Sequence, residues 1–383
     1  MGEISNIMNQ NSPIVFICKA IPFDNGGSAT VIRNLLSNSL KGQFFVMGRE
    51  PKTHLDYKNT EIPYEYAILP LSDGPENKII KLFLFIKSIL IAIIQTKKIK
   101  SEKIIGVYRD ETSFLLSYLV SLILNKDLYV YLTDLYAENY TSSLKKMIQK
   151  LVFKRAKKIF CLNEGMQKVY KDLYGLNPIV LQNCININNS FKPQIVPNNP
   201  FVILFSGTIL YDRLDLLQNL VYEFRDNNDY RIHFLSPHNE TFFIQNNLTG
   251  PNISHSYFND QLKMMESLHS ADLLYLPLTF AKHNDHRTVL QLTSCLATKS
   301  FDYMQSSVPI LVHCPPEYFT YQFFEKRNAA ILLGSNENIS KVINEIKYNY
   351  SEYYKIRENA FNSLINNDSK IVLEKLTKEI NKK

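Results

Sequence analysis

Paired cysteines, a span-length apolar run and an export-like start are all missing from this chain of 383 residues. The most apolar stretch, Leu82 to Ile94, has 13 residues and is broken by Lys87. A bilayer crossing needs roughly 20, so no transmembrane helix is expected. The five cysteines, Cys18, Cys161, Cys184, Cys295 and Cys314, are odd in number and show no CxxC spacing. This excludes a disulfide framework and a structural zinc, and it predicts reduced thiols in a cytoplasmic protein. The start, Met1-Gly2-Glu3-Ile4-Ser5-Asn6, is polar and acidic, and Asn6 stands where a myristoylation motif carries Ser or Thr. Neither export nor acylation is expected.

What is present describes a globular protein of two or three domains, with 45% hydrophobic and 21% charged residues. Lys plus Arg is 43 against 36 Asp plus Glu, a formal charge of +7. The excess is uneven. Up to residue 199 there are 25 basic and 16 acidic residues, and beyond it 18 and 20, so the halves carry +9 and −2. The first half is expected to face a polyanion or an anionic membrane, and the second something smaller.

Short apolar runs alternate with helical patterns from end to end, which reads as α/β with mostly parallel sheets. In the first half, strands are predicted at Pro13 to Cys18, Phe44 to Met47, Ile104 to Tyr108, Leu128 to Leu132, Lys158 to Leu162 and Ile179 to Leu181. Helices are predicted at Ala29 to Leu40, Lys78 to Gln95, Thr112 to Leu124, Ser142 to Arg155 and Glu164 to Tyr174. After the linker Pro193 to Pro200 the alternation restarts with strands at Phe201 to Ser206, Tyr230 to Leu235, Leu273 to Pro277, Pro309 to His313 and Ala329 to Leu333. The expected organisation is an N-terminal Rossmann-like domain (1–195), a second Rossmann-like domain (196–345) and a helical segment (346–383) packing across both. Two such domains put the ligand cleft at the carboxyl ends of their strands.

Three segments carry candidate chemistry. The loop Asn25-Gly26-Gly27-Ser28 follows the first strand and opens a helix, where paired glycines let a ligand approach the backbone and the helix start favours phosphate. It is neither GxGxxG nor a Walker loop, and a tight strand-to-helix turn would need the same residues. In the second half, Phe205-Ser206-Gly207-Thr208 precedes Arg213, whose guanidinium can neutralise a diphosphate or simply be solvated. The third segment, Ala297 to Met304, opens a helix with Thr298, Lys299 and Ser300 to hold phosphate oxygens, and Asp302 is placed to accept from a ribose diol; a capped surface helix is the alternative. No metal is expected: His283 and His286 lack a third ligand, and no Asp-x-Asp pair follows a predicted strand. The stretch Ser142 to Lys158 carries Lys145, Lys146, Lys150, Lys154, Arg155, Lys157 and Lys158 with no acidic residue. Leu144, Met147, Ile148, Leu151 and Val152 share a face, so the helix either packs on the core with a solvated basic side or meets anionic lipid. No nucleic-acid motif accompanies the charge.

In this order, the pieces resemble one family, the GT-B glycosyltransferases of the retaining, nucleotide-sugar-dependent group often called family four. Ser270-Ala271-Asp272-Leu273-Leu274-Tyr275-Leu276-Pro277-Leu278 looks like a strand motif of that group, and Lys299 to Tyr303 followed by Pro309-Ile310-Leu311-Val312 looks like another. Ala156 to Met166, then Tyr174-Gly175 and Leu181-Gln182-Asn183, is similar to its first-domain pattern. The resemblance implies the GT-B fold, with a C-terminal helix crossing back, and transfer of a sugar from a UDP- or GDP-linked donor to a glycan or polyprenyl-linked acceptor in bacterial surface polysaccharide synthesis. It implies no cofactor and no metal. Catalytic roles fall on Asp134 near the acceptor and on Arg213 and Lys299 at the leaving diphosphate; Gly26, Gly27, Ser28, Gly207, Thr208, Ser300, Asp302 and Tyr303 hold the donor. Asp302 matches the second acidic residue of the family's E-x7-E motif, whereas Ser294 occupies the first acidic position and Thr133 replaces a common histidine. Those departures leave open an inactive GT-B scaffold that binds partners, and a GT-B-like sugar-nucleotide epimerase is the alternative enzyme. The expected location is cytoplasmic, peripheral on the inner face of the cell membrane.

Overall fold

The computed structural model describes residues 12–23, 27–51, 62–72, 74, 77–108, 110–135, 138, 142–187, 190–258, 260–280, 286–297, 299–335 and 338–382. The chain divides into two compact units, one formed by Met1–Asn186 with Asn367–Lys383 and the other by Ile187–Asn366. The first unit therefore ends ahead of the proline-bearing linker. The helical tail expected from residue 346 is split, because only its last stretch returns to the first unit.

In the first unit the order is β1 (Ile14–Ala20), α1 (Gly27–Leu36), β2 (Phe44–Arg49), β3 (Glu65–Ile68), α2 (Lys78–Lys98) and β4 (Lys103–Tyr108). It continues through α3 (Glu111–Leu124), β5 (Asp127–Leu132), α4 (Ser143–Arg155), β6 (Lys158–Cys161), α5 (Glu164–Tyr174) and β7 (Ile179–Val180). The second unit runs β8 (Phe201–Ser206), α6 (Tyr211–Phe224), β9 (Tyr230–Leu235), α7 (Glu240–Gln245), β10 (Ile253–Ser256), α8 (Gln261–His269) and β11 (Leu273–Pro277). It ends with α9 (His286–Ser294), α10 (Ser300–Gln305), β12 (Ile310–His313), α11 (Phe319–Arg327), β13 (Ile331–Leu333), α12 (Ile339–Tyr348) and α13 (Tyr354–Ser363); α14 (Ser369–Asn381) closes the chain.

Each unit is an α/β Rossmann-like layer around one parallel sheet. The strand orders are β3-β2-β1-β4-β5-β6-β7 and β10-β9-β8-β11-β12-β13. Central strands such as Ile14-Val15-Phe16-Ile17 are apolar on both faces and buried throughout, as a parallel sheet covered by helices requires. Phe16 and Cys18 of β1 pack with Ile32 and Leu36 of α1 and with Val372 and Leu376 of α14. Hydrogen bonds hold α14 there: Ile185 N donates to Asn367 O and Ser369 N to Ile185 O, at 3.0 and 2.9 Å. Burial pushes the thiols of Cys161, Cys184 and Cys314 up to about 12, so they stay protonated and unreactive.

Helix ends follow the residues that cap them. Asp110 and Asn163 accept from the backbone of Ser113 and Met166 at 3.1 and 2.8 Å. Gly175, at φ +65°, ends α5 in the left-handed region. In the second unit Asp272 has a structural role. Its carboxylate accepts from Asn198 N and Val202 N at 2.8 and 2.6 Å, tying the linker to the starts of β8 and β11. Arg357, 1% exposed, donates to Gln194 O at 2.6 Å and fixes the linker's other end to α13.

One apolar segment is longer than its sequence bounds suggest. The apolar stretch around Leu82 to Ile94 extends at both ends into α2, 21 residues long and, among the described residues, the one helix long and apolar enough to cross a membrane. The helix connects β3 to β4, two strands of the same sheet.

Candidate functional site

In a parallel sheet whose strand order reverses, the connections leaving the two strands at the reversal diverge to opposite faces and open a crevice at their carboxyl ends. In the second unit that point lies between β8 and β11. These strands pair only through Ile203 with Leu273 and Leu204 with Leu274. Past that register they part, and the Tyr303 hydroxyl fills the gap: it accepts from Ser206 N at 2.7 Å and faces Tyr275 O at 3.4 Å. Burial first, and Asp302 last, raise this phenol's pKa, with Ser206 and Arg213 opposing, so it stays neutral.

Around Tyr303 stand the other candidates. Gly207 follows β8 at φ +135°, a region closed to L side chains, and its N–H donates to Leu235 O at 3.0 Å. A side chain there would begin 3.8 Å from Lys299 Cγ. The Lys299 ammonium lies 3.2 Å from Asp302 Oδ2 and 3.3 Å from Met264 Sδ, while Gln261 Nε2 reaches Asp302 Oδ1 at 3.5 Å. Arg213 sits in the first turn of α6, half-buried and close enough to act on the Tyr303 phenol. Thr208 is exposed. Gly207, Arg213, Lys299 and Asp302 are thus brought together, combining backbone accessible to a ligand, two cations and one carboxylate.

Ser300 and Tyr303 do not belong among the ligand contacts. Both are 0% exposed, the Tyr303 hydroxyl is engaged internally, and the Ser300 hydroxyl has no hydrogen-bond partner. Helical periodicity explains it: positions 299 and 302 share the outward side of this turn, and 300, 303 and 304 face the sheet. Ser294, at the missing acidic position, is 1% exposed and donates back to Leu290 O at 2.6 Å, so no carboxylate stands there. Gly26, Thr298 and His283 lie outside the described residues, as do the side chains of His286 and Arg287.

Two histidines at strand ends escaped the sequence reading. His313, closing β12, makes a 3.1 Å hydrogen bond from Nε2 to Ser335 O, and a carbonyl only accepts, so Nε2 carries the proton. Nδ1 then accepts the Tyr275 hydroxyl at 2.8 Å, and burial lowers the His313 pKa, keeping it neutral. Asp215 acts electrostatically on both. After β9, His238 Nε2 meets the backbone of Ile209 at 3.1 Å. Their only sequence signal was position, at or within three residues of a strand's carboxyl end.

The first unit has its own reversal, between β1 and β4. Gly27 opens α1 exposed, with nothing within 4 Å of where its side chain would stand, and Ser28 follows half-buried. After β5, Thr133 Oγ1 donates to Tyr108 O at 3.2 Å, and the Asp134 carboxylate accepts from Leu135 N at 2.8 Å. Thr133 therefore joins strand ends, and Asp134 shapes its own loop. A carboxylate that sequence reasoning passed over, Glu138, accepts from Gln149 Nε2 at 2.7 Å and from the Tyr170 hydroxyl at 3.2 Å. Among the described residues no group of three His, Cys, Asp or Glu side chains is arranged to hold a metal ion.

No family model matches the sequence, and no curated protein matches it. Solved structures do match in fold. Anabaena HepE in complex with UDP and glucose is 12% identical with a TM-score of 0.69, over 97% of this chain and all of that one. A glycosyltransferase from Rickettsia africae is 13% identical at 0.67, over 97% and 98%. A putative UDP-N-acetylglucosamine 2-epimerase from Listeria monocytogenes is 10% identical at 0.62, over 97% and 96%. The likeness is one of architecture: the two parallel α/β units are those of the GT-B fold.

Proposed function

We propose that this chain is a glycosyltransferase that moves a hexosyl group from a nucleotide sugar to a hydroxyl of a glycan or polyprenyl-linked acceptor. The reading rests on one observation above the rest. Lys299, Asp302, Arg213 and Gly207 gather at the β8/β11 reversal of a GT-B fold whose structural neighbour HepE holds UDP. The HepE and Listeria neighbours favour UDP over GDP as the carrier.

In this chemistry the bond from the sugar's anomeric carbon to the diphosphate oxygen breaks, and the acceptor oxygen bonds to that carbon. The acceptor's proton passes to an oxygen of the departing diphosphate, which supplies the base. Retention follows when the acceptor enters on the face the diphosphate leaves. What the protein must provide is cationic charge at the diphosphate, preorganised before the reaction. Arg213 and Lys299 supply it with no metal. The Lys299–Asp302 pair is suited to an exchange: as the ribose hydroxyls donate to Asp302, the ammonium turns to the phosphates, and neither charge is left unpaired. Asp134, in the first unit, is assigned to the acceptor by resemblance alone. A polyprenyl-linked acceptor and the basic helix α4 support a location on the cytoplasmic face of a bacterial membrane, in surface polysaccharide synthesis.

A second reading, sugar-nucleotide epimerisation, is favoured by the likeness to the Listeria protein. Calorimetric titration with UDP and GDP, followed by nucleotide release from a panel of nucleotide sugars with and without lipid-linked acceptors, separates the readings. Acceptor-dependent release supports transfer, and release of free nucleotide with an inverted sugar centre supports the epimerase. Absence of binding by either nucleotide removes both and leaves a GT-B scaffold.

A further inference from the structure

We infer that α2 is a membrane-docking helix that lies in the plane of an anionic lipid surface, apolar face inward to the lipid, with α4 beside it. The helix is packed inside out. A surface helix normally turns its large apolar residues to the core. Here the buried residues are the small ones, Ser88, Ala92 and Thr96, and the Ser88 and Thr96 hydroxyls bond back to Leu84 O and Ala92 O. The large residues Ile79, Phe83, Ile86, Leu90 and Ile94, spaced by four, three, four and four along one face, are 48–74% exposed.

The neighbouring helices also expose large apolar residues. α2 packs on α3, and α3 on α4. Leu122 and Ile123 of α3 are exposed, and so are Leu144, Met147 and Leu151 of α4. This corrects the expected single apolar face of α4, of which only Ile148 and Val152 are buried. Large apolar residues gathered on one exposed helix face mark an interaction surface.

Charge selects the occupant. α2 carries Lys78, Lys81, Lys87, Lys97 and Lys98, α4 exposes Lys146, Lys150 and Lys154, and neither helix contains an acidic residue. Lysine is depleted at the cores of protein interfaces, and a two-fold pairing of this face with its copy would set lysines against lysines. An anionic headgroup layer satisfies both features at once: it takes the apolar stripe below the headgroups and the ammonium groups at their level.

Topology decides how the helix lies. β3 and β4 are strands of one sheet, so a single crossing by the helix between them would put neighbouring parts of that sheet on opposite sides of the bilayer. α2 must enter and leave on the same side. At 1.5 Å per residue its 21 residues make a footprint about 30 Å long.

The test is co-sedimentation of the full chain with vesicles of phosphatidylcholine alone and with phosphatidylglycerol added. The wild type is expected to bind the anionic vesicles and to release as salt is raised. Phe83→Glu with Leu90→Glu, both at exposed positions, is expected to bind roughly tenfold or more weakly while keeping the wild-type circular dichroism melt. Lys81→Glu with Lys87→Glu is expected to lose the preference for anionic over neutral vesicles. No binding to anionic vesicles overturns the inference, as does equal binding by the Phe83/Leu90 variant. A wild-type dimer that this variant dissociates, without vesicle binding by either, also overturns it and assigns the face to a second copy. The assay contains no nucleotide, so its failure leaves the glycosyl-transfer reading standing, and the reverse also holds.

Discussion

Replacing Tyr303 by phenylalanine removes one oxygen and keeps the ring, at a position 0% exposed. The lost hydroxyl accepts from Ser206 N at 2.7 Å, where β8 has already parted from β11 and no strand offers a replacement carbonyl on that side. Leaving a buried N–H unpaired costs about 1–3 kcal/mol. The 3.4 Å contact to Tyr275 O adds little to that. For a unit of this size each kcal/mol moves the melting midpoint by roughly 2–4 °C, so the second unit should melt roughly 2–12 °C lower. The chain has no tryptophan, so calorimetry or far-ultraviolet circular dichroism is the suitable readout. A ligand contact would give a different result: weaker UDP binding with the melt unchanged. That outcome, or a melt indistinguishable from wild type, would refute the assignment of Tyr303 as an internal tie.

Three further expectations follow from the site and its backbone. Arg213→Ala and Asp302→Asn should each weaken UDP binding and transfer by roughly 10- to 150-fold, the value of a hydrogen bond to a charged group; unchanged titrations in both would remove the site. Gly207→Ala should destabilise by about 1–3 kcal/mol because its φ of +135° excludes a side chain, whereas Gly27→Ala should leave the melt within error. Equal melts for the two variants would contradict the backbone argument. Burial holds the His313 pKa below its ordinary value, so the folded state stays neutral while the unfolded chain protonates. Its contribution is complete above about pH 6.5 and is lost as the pH falls from there toward the folded-state pKa. The His313→Gln variant should therefore show a flatter fall of melting temperature between about pH 7.5 and 5.5; parallel curves would exclude His313 as the source.

Most strands were legible because buried parallel strands are continuous apolar runs, as in Phe201 to Ser206 and Leu273 to Pro277. The two missed strands, β3 and β10, are sheet edges of four residues with half-exposed patterns, Glu-Tyr-Ala-Ile and Ile-Ser-His-Ser. An edge strand needs little hydrophobicity, so its residues carry little signal. Asp302 and Lys299 were found as neighbours in sequence, since a separation of three makes them neighbours on a helix. Ser300 and Tyr303 were found with them and misassigned, because the motif does not say which side of the turn meets the sheet.

The sequence by itself determined the α/β class, the restart of the alternation after the linker and the neighbourhood of the diphosphate candidates, all of which depend on local periodicity and residue chemistry. Only the tertiary structure decided that α14 returns to the first unit, that Tyr303 spans the gap between two strands, and that α2 faces outward. Each of these turns on which face of an element another element covers. For α2 the run of Ile, Leu and Phe does not tell which side is covered: the buried positions are the small residues Ser88, Ala92 and Thr96.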